Sequence, residues 1–408
     1  METFRRLNAV SGNEISVDLA VFIIAENGTL YACGRNTYGQ LGLGDCQNRS
    51  TLTRVLLEES VERVVTGNGS TYVLTHSGAL YSCGYNRFGR LGLGDSRNRW
   101  TLTRVPLDES VKTVVTRGDN CTYVTTVSGA LYACGGNVYG QLGLGDEQDR
   151  SKLTRVPLEQ SVKTVTVGNN CTFVLTVSGA LYACGYNGSG KLGLGDNEHR
   201  STLTRVTLEE SVKTIATRGI STYVITVSGA LYVCGSDWSG HLGIGGRSDR
   251  STFTKVLLEE SVKTVITNSS STFVITVSGA LYACGSDCSG QLGLGDEQDQ
   301  STLTRVPLVE SAKTVVTNNC STYVLTVNGT LYACGENRYG RLGLGDNRGR
   351  STLARVPLEE RVKTVGTDGR STYVLTVSGA MHVCGINEYG QLGLGDTQDR
   401  STLTRMLW

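Results

Sequence analysis

The chain has 408 residues, of which 52 are glycine, about twice the usual share, and only 4 are proline. Lys and Arg number 38 against 37 Asp and Glu, so the net charge is +1 and broad binding to a nucleic-acid backbone is not expected. The longest apolar run, residues 19–25, is far shorter than the ~20 residues of a membrane helix, and the first residues lack the apolar core of a signal peptide. An odd count of 13 cysteines without an export signal indicates a reducing compartment, so we expect an intracellular protein without a membrane partner.

The chain is predicted to begin with a lead of residues 1–14, followed by repeats over 15–408 with a degenerate first strand at 14–17. The segment Val127-Ser-Gly-Ala-Leu-Tyr-Ala-Cys-Gly135 recurs unchanged at 177–185 and 277–285. Cys-Gly pairs recur eight times at spacings of 50 or 51 residues. A period of this length indicates a solenoid or a propeller.

One unit reads as four short strands. Residues 111–116, 122–127, 130–134 and 153–158 are rich in β-branched residues, and Ser128-Gly129 is typical of a hairpin turn. Pro157 would be tolerated if the fourth strand were the outermost one. A glycine-rich loop joins the third strand to the fourth. Tandem units of this kind predict an all-β fold, a single β-propeller of eight four-stranded blades of about 50 residues.

Two aromatic positions and one cysteine position recur in nearly every unit, so we expect them to be buried between blades. The first aromatic set is Tyr72, Tyr123, Phe173, Tyr223, Phe273, Tyr323 and Tyr373. The second set is Tyr31, Tyr81, Tyr132, Tyr182, Tyr232, Tyr282 and Tyr332. The cysteines are Cys33, Cys83, Cys134, Cys184, Cys234, Cys284, Cys334 and Cys384.

The motif Gly-x-Leu-Tyr-x-Cys-Gly-x-Asn-x-Tyr-Gly-Gln-Leu-Gly-Leu-Gly-Asp at 28–45, with variants in the other units, resembles the regulator-of-chromosome-condensation repeat family. The resemblance implies a β-propeller, usually of seven blades, which is the alternative to the eight counted here. The type member of that family is a nucleotide-exchange factor for the small GTPase Ran and binds chromatin, using an inserted wedge and a basic tail. The even spacing here leaves no room for a wedge, and the lead holds only Arg5 and Arg6.

No catalytic, metal or cofactor site is expected. The four histidines fall at four different repeat positions, and the glycine-rich loop lacks the lysine and the following helix of a phosphate loop. The aspartate that ends each glycine-rich loop is expected to pair across blades with a repeated arginine such as Arg54 or Arg155. Gly246 replaces this aspartate in the fifth unit, which should lack the pair.

The loops differ between units while the strands hardly do, and loops on a rigid scaffold commonly carry function. Exposed Trp and Arg are typical interface anchors. The candidate interaction loops are therefore marked by Arg87, Arg97, Trp100, Trp238, His241, Arg247, Arg338 and Arg348. A second candidate is a rim at one mouth of the channel, because first strands line the centre of a propeller. Its members are Lys112, Lys163, Lys213, Lys263, Lys313 and Lys363.

The sequence thus favours a non-enzymatic scaffold that binds protein partners or copies of itself. Self-binding could extend to assembly into a structural array. The less favoured alternative is an exchange factor for a Ran-like GTPase, associated with chromatin. A plain strand end is the alternative for the lysine rim, and drift in unconstrained loops is the alternative for the loop residues.

Overall fold

The computed structural model describes residues 4–7, 20–117, 120–318 and 320–406. They form eight four-stranded antiparallel sheets, in each of which the strands pair in chain order. The first strands are Phe4–Leu7, Val61–Gly67, Val111–Arg117, Val162–Gly168, Val212–Arg218, Val262–Thr267, Ala312–Thr317 and Val362–Thr367. The second strands are Ala20–Ala25, Ser70–Thr75, Cys121–Thr126, Cys171–Thr176, Ser221–Thr226, Ser271–Thr276, Ser321–Thr326 and Ser371–Thr376.

The remaining strands complete each sheet. The third strands are Leu30–Gly34, Leu80–Gly84, Leu131–Gly135, Leu181–Gly185, Leu231–Gly235, Leu281–Gly285, Leu331–Gly335 and Met381–Gly385. The fourth strands are Arg49–Arg54, Arg99–Arg104, Arg150–Arg155, Arg200–Val206, Arg250–Lys255, Gln300–Arg305, Arg350–Arg355 and Arg400–Arg405. Single 3-10 turns lie at Arg87–Gly89, Gly188–Gly190 and Arg338–Gly340. Among the residues described, no helix has the length and apolar character needed to cross a membrane.

The sheets are the blades of an eight-bladed β-propeller, which confirms the predicted fold and blade number. Three of the four strands predicted for the third unit lie within one residue of their predicted positions. The fourth strand starts and ends three residues earlier than predicted, at Arg150–Arg155. Pro157 therefore lies beyond the strand, exposed in the linker to the next blade, and its missing N–H costs the sheet nothing.

The first blade differs from the prediction at its start. The strand that pairs with Ala20–Ala25 is Phe4–Leu7, which belongs to the predicted lead. The strand predicted at residues 14–17 lies outside the described residues. The sheet of the first blade thus takes in residues ahead of the predicted start at 15.

The apolar core is divided into clusters that lie between neighbouring blades. One cluster joins Tyr123 and Leu131 of blade 3 to Val165 and Val174 of blade 4. The ring closes in the same way, because Ile23 and Cys33 of blade 1 pack with Tyr373, Met381 and Met406 of blade 8. A single blade could bury neither face, so the closed ring is the unit that buries the core.

The predicted burial of the first aromatic set and of the repeated cysteines is confirmed. The Tyr72 hydroxyl donates to the main-chain oxygen of Arg90 at 2.7 Å and lies 2.8 Å from Thr122 Oγ1 of the next blade. Cys134 Sγ, also in the next blade, donates to the same Arg90 oxygen at 3.4 Å. One carbonyl thus serves groups from two blades, which fixes how neighbouring blades pack.

Six tyrosines of the second set also pack against clusters between blades, but only Tyr232 is buried and the other five are half-buried: Tyr81, Tyr132, Tyr182, Tyr282 and Tyr332. The Tyr81 ring packs against the cluster shared by blades 1 and 2, while its hydroxyl donates to Glu59 Oε1 at 2.7 Å. Hydrogen bonds from Ser77, Tyr81 and Thr75 lower the pKa of Glu59. The second linker carboxylate, present in every linker except the one that holds Gln160, is therefore a hydrogen-bonded structural group.

Candidate interaction surfaces of the propeller

The connections between strands lie on two opposite faces of the ring, because the strands of each blade pair in chain order. Strands alternate in direction, so the first-to-second turns and the third-to-fourth loops emerge on one face, here called the loop face. The second-to-third hairpins and the linkers between blades emerge on the opposite face, here called the linker face. Every candidate residue can be assigned to a face by its place in the repeat.

The glycine-rich loop of the loop face is held together by an asparagine. In blade 1 Asn36 Oδ1 accepts the Leu41 N–H at 2.9 Å, while Nδ2 donates to the Asp45 main-chain oxygen at 2.9 Å and to Asp45 Oδ1 at 3.2 Å. Arg49 binds Asp45 Oδ2 at 2.6 Å. The Gln47 N–H and the Arg49 guanidinium lower the pKa of the Asp45 carboxyl.

This geometry corrects the predicted ion pair. The partner of the loop aspartate is the arginine four residues later in the same loop, not Arg54 or an arginine of another blade. The loop folds back on itself, which brings the aspartate beside the first residue of the fourth strand. Arg54 ends that strand on the linker face, a strand length away.

Blades 5 and 6 depart from the pattern. Gly246 leaves Arg250 without the loop carboxylate, as predicted. Arg250 keeps its bonds to the main-chain oxygens of Ser248 and Asp249, and Arg49 makes the equivalent bonds in blade 1. In blade 6 the asparagine is replaced by Asp287, and residue 300, an arginine in the other seven blades, is Gln300.

Asp287 is fully buried, and its Oδ2 has no hydrogen-bond partner among the described residues. In six other blades this position holds the asparagine Nδ2 that donates to the loop aspartate. Burial raises the pKa of Asp287 to about 7. The hydrogen bond from the Leu292 N–H lowers this pKa, whereas the nearby charges of Asp296, Asp299 and Glu297 raise it further. Sequence reasoning missed this group, although the exchange of Asn for Asp at one repeat position was visible.

Seven of the eight predicted loop residues lie exposed on the loop face: Arg87, Arg97, Trp100, Trp238, Arg247, Arg338 and Arg348. The Trp100 side chain is 54% exposed and that of Trp238 is 56% exposed. The backbone of Trp100 is fixed, because its carbonyl accepts the Gly44 N–H of blade 1 at 2.8 Å. Arg247 already has a partner in the next blade, Asp299, at 3.4 Å.

His241 is the exception and needs correction, because it is only 2% exposed and cannot anchor a partner. Its Nε2 lies 2.7 Å from Ser221 Oγ and its Nδ1 lies 2.8 Å from Ser239 Oγ. Burial lowers the pKa of His241 to about 4. The side chain at this repeat position points between blades, and Arg90 and Lys191 are buried at the same place in their own units.

A cleft of about 720 Å³ opens on the loop face around blade 7. Its lining includes Cys288 and Ser289 of blade 6, Glu336 and Arg338 of blade 7, and Asp399 of blade 8. Ser289 stands where blade 1 has Tyr38, whose ring packs 4.8 Å from the Tyr85 ring of the next blade. The cleft was not predicted, and it includes one of the predicted residues, Arg338.

The six rim lysines lie on the linker face, one at the start of the first strand in each of blades 3 to 8. All six are exposed. First strands of neighbouring blades lie side by side from blade 2 to blade 8, which makes them the innermost strands. Lys112 is the extra residue of a β-bulge, because Val111 pairs with Thr126 and Thr113 pairs with Thr125.

Comparison with known families identifies the repeat. The family model for the regulator of chromosome condensation (RCC1) repeat matches residues 27–74, 77–124, 128–175 and 328–370. These four segments are RCC1 repeats, which confirms the resemblance seen in the sequence.

Solved RCC1-like propellers share the architecture. Human WBSCR16 is 19% identical, with a TM-score of 0.66 over 83% of this chain and 96% of its own. Yeast RCC1 (Prp20) bound to Kap60 is 17% identical, with a TM-score of 0.64 over 83% of this chain and 86% of its own. Prp20p of Saccharomyces cerevisiae, described with its binding properties to Gsp1p and histones, is 17% identical, with a TM-score of 0.64 over 87% of this chain and 90% of its own. At these identities the likeness shows the fold alone.

In this propeller of RCC1 repeats the repeated motif builds the framework. Seven of the eight predicted loop residues that differ between repeats lie at its surface, whereas His241 and Asp287 are buried. The motif asparagine, glycines and leucines close the loops and pack between blades. The exposed Trp and Arg side chains stand on that framework at positions the motif leaves open. The RCC1 repeat therefore accounts for the fold, and the exposed variable positions are not part of the repeated framework.

Proposed function

We propose that the chain is a non-enzymatic propeller scaffold that binds protein partners, including copies of itself, through its loop face. The observation that carries the proposal is that seven exposed Trp and Arg side chains emerge on one face of a rigid ring. Trp and Arg dominate interface energetics because they bury large surfaces and form several hydrogen bonds. A fixed backbone, as at Trp100, lowers the entropy lost on binding.

The test compares two matched double variants of the full chain as tagged baits in extracts of the source cell. Trp100→Ala with Arg97→Ala removes two anchors from blade 2 on the loop face. Leu257→Ala with Arg305→Ala removes one apolar side chain and one arginine from the linker face, both exposed. We expect the first variant to lose at least about tenfold of the recovered partner, since truncating an interface anchor costs about 2 kcal/mol or more.

The second variant should recover the partner as the unaltered chain does. Equal recovery by both variants would overturn the assignment to the loop face. The mass of the purified chain in solution, measured across a concentration series, tells whether the recovered partner is a second copy. Self-association lost only in the Trp100 and Arg97 variant would identify this chain as its own partner.

A second candidate function comes from the yeast relative described with its binding to Gsp1p and histones. Under this alternative the chain would be an exchange factor for a Ran-like GTPase, associated with chromatin. The Cys-Gly pairs are evenly spaced, so blades 2 to 8 carry no insertion of the kind that the family type member uses; only in blade 1 do as many as twelve residues, 8–19, separate the first two strands. We expect no acceleration of nucleotide release from a Ran-type GTPase at stoichiometric protein. A clear rise in the release rate, measured with a fluorescent nucleotide, would replace the scaffold proposal with this one.

A further inference from the structure

We propose that the channel mouth on the linker face binds a short peptide segment that carries both acidic and apolar side chains. The site is an arc of six lysines and six exposed valines, here called the axial arc, contributed by blades 3 to 8. It lies on the face opposite the loop residues, so it is independent of the proposed function.

The lysines supply positive charge at the axis. Among the described residues none of the six lies within 4.0 Å of a carboxylate, and all are exposed at the ends of the innermost strands. Blade 2 breaks the arc, because Glu62 takes the lysine position and Arg63 takes the following threonine position. The strand forms there with the same bulged pairing, so the fold does not require lysine at this place.

The valines stand beside the lysines in the same six blades. They are Val127, Val177, Val227, Val277, Val327 and Val377, each between 51% and 69% exposed. The Val127 N–H donates to the Ser110 oxygen at 2.9 Å, which places this valine next to the residues that lead into Lys112. The hairpin does not need valine, because Glu26 and His76 stand at the same place in blades 1 and 2.

Apolar side chains repeated at one exposed position are a mark of a binding surface when nothing in the local structure requires them. In blades 1 and 2 the hairpin keeps its closing bond, from Gly28 N–H to the Ala25 oxygen at 2.9 Å and from Gly78 N–H to the Thr75 oxygen at 3.0 Å. The hairpin turn therefore forms equally well with Glu26 or His76 at the position that valine occupies in the other blades. Blade 2 lacks both the lysine and the valine. Blade 1 lacks the valine, and Arg5 stands at the register of the lysine, since Phe4 pairs with Ala25 and Arg6 with Ile24.

The carboxylates of the linker face separate the lysines at the axis from the arginines at the outer edge. The second linker carboxylate of most blades, such as Glu109, is bound by hydroxyls of the adjacent hairpin and third strand. The first linker carboxylate, such as Asp108, is exposed. It lies in a linker that runs inward from the outermost strand to the next first strand, so it lies outside the lysines. The arginines that end the fourth strands lie farther out still.

This arrangement selects the kind of ligand. A nucleic acid or a membrane surface would spread over the ring and meet the exposed first linker carboxylates, which lie between the lysines and the arginines and repel it. A narrow acidic segment reaches the lysines alone, where a ring of like charge focuses the field. The valines add affinity only for a ligand with apolar side chains, which an inorganic polyanion lacks.

The experiment titrates the full chain with a labelled peptide of alternating glutamate and leucine, at low and at physiological salt. The variant Lys163→Gln, Lys263→Gln, Lys363→Gln should weaken binding at least about tenfold and flatten its salt dependence, because screening acts over ~8 Å at physiological ionic strength. The variant Val177→Ser, Val277→Ser, Val377→Ser should weaken binding while leaving the salt slope unchanged. The control Lys152→Gln with Lys255→Gln, exposed lysines of the fourth strands, should bind as the unaltered chain does.

Absence of binding, or unchanged affinity in the lysine variant, would overturn the proposal. Equal affinity for the peptide and for inorganic polyphosphate, both lost in the lysine variant, would show a general anion site and would also overturn it. Peptide binding that survives Trp100→Ala with Arg97→Ala would support a site independent of the loop face. Loss of binding in that variant would contradict the placement.

Discussion

Replacing Gly185 by alanine should destabilise the propeller by about 4 kcal/mol, at the upper end of single-residue effects. Gly185 ends the third strand of blade 4 at a φ of +98°, and an added Cβ would lie 2.3 Å from the Asn170 oxygen and 2.8 Å from the Cys171 Cα. Both contacts are backbone, and the Asn170 oxygen also accepts the Tyr186 N–H at 2.7 Å. The chain can relieve the overlap only by breaking that bond, so the urea midpoint should fall sharply.

The control lies in the same blade. Gly179, in the hairpin of the linker face, has a φ of +87° and no atom within 4 Å of an added Cβ. Gly179→Ala should therefore cost only the left-handed backbone strain, about 1–2 kcal/mol. Similar losses in the two variants would show that the close approach at Gly185 is not what glycine provides.

Replacing Asp287 by asparagine should raise the free energy of unfolding by about 2 kcal/mol at pH 8. The folded-state pKa of Asp287, raised by burial to about 7, lies above the ordinary value of 3.8. The group's favourable contribution is fully present below pH 3.8 and is lost as the pH rises through 7. An amide at this place would donate to the Asp296 oxygens, as Asn36 does to Asp45.

At pH 5 the gain from Asp287→Asn should shrink, because the protonated carboxyl then donates as the amide would. The reverse exchange, Asn337→Asp in blade 7, should cost stability at pH 8 and less at pH 5, since Asn337 Nδ2 donates to Asp346 at 2.8 Å and 3.2 Å. Urea unfolding of the three proteins at both pH values measures this. A gain independent of pH would mean that charge at Asp287 is not the cause.

The repeat itself was readable because its contacts are local in sequence. Each strand pairs with the next along the chain, and the turn residues fall at fixed positions, so the strands near 111–135 were placed within one residue. The buried tyrosines and cysteines followed from the same logic, since a position kept apolar in nearly every unit must meet a neighbouring unit.

The wrong predictions concern side chains whose contacts are made with residues outside their own strand. His241 was assigned to an exposed loop because it differs from its counterparts, but its ring is buried against Ser221 and Ser239. The loop aspartate was paired with Arg54, whereas the fold of the loop offers the arginine four residues on. A list of differences between repeats does not tell which of them reach solvent.

By itself the sequence determined the class of fold, the number of blades and the glycine-rich loops, because period, strand length and turn chemistry are set by residues close together in the chain. Only the tertiary structure decided that the Trp and Arg loops emerge on one face and that the lysines and valines of the axial arc share the other. The direction of each strand assigns its ends to the two faces, and the packing of blades some 50 residues apart decides which side chains, such as His241 and Asp287, are buried.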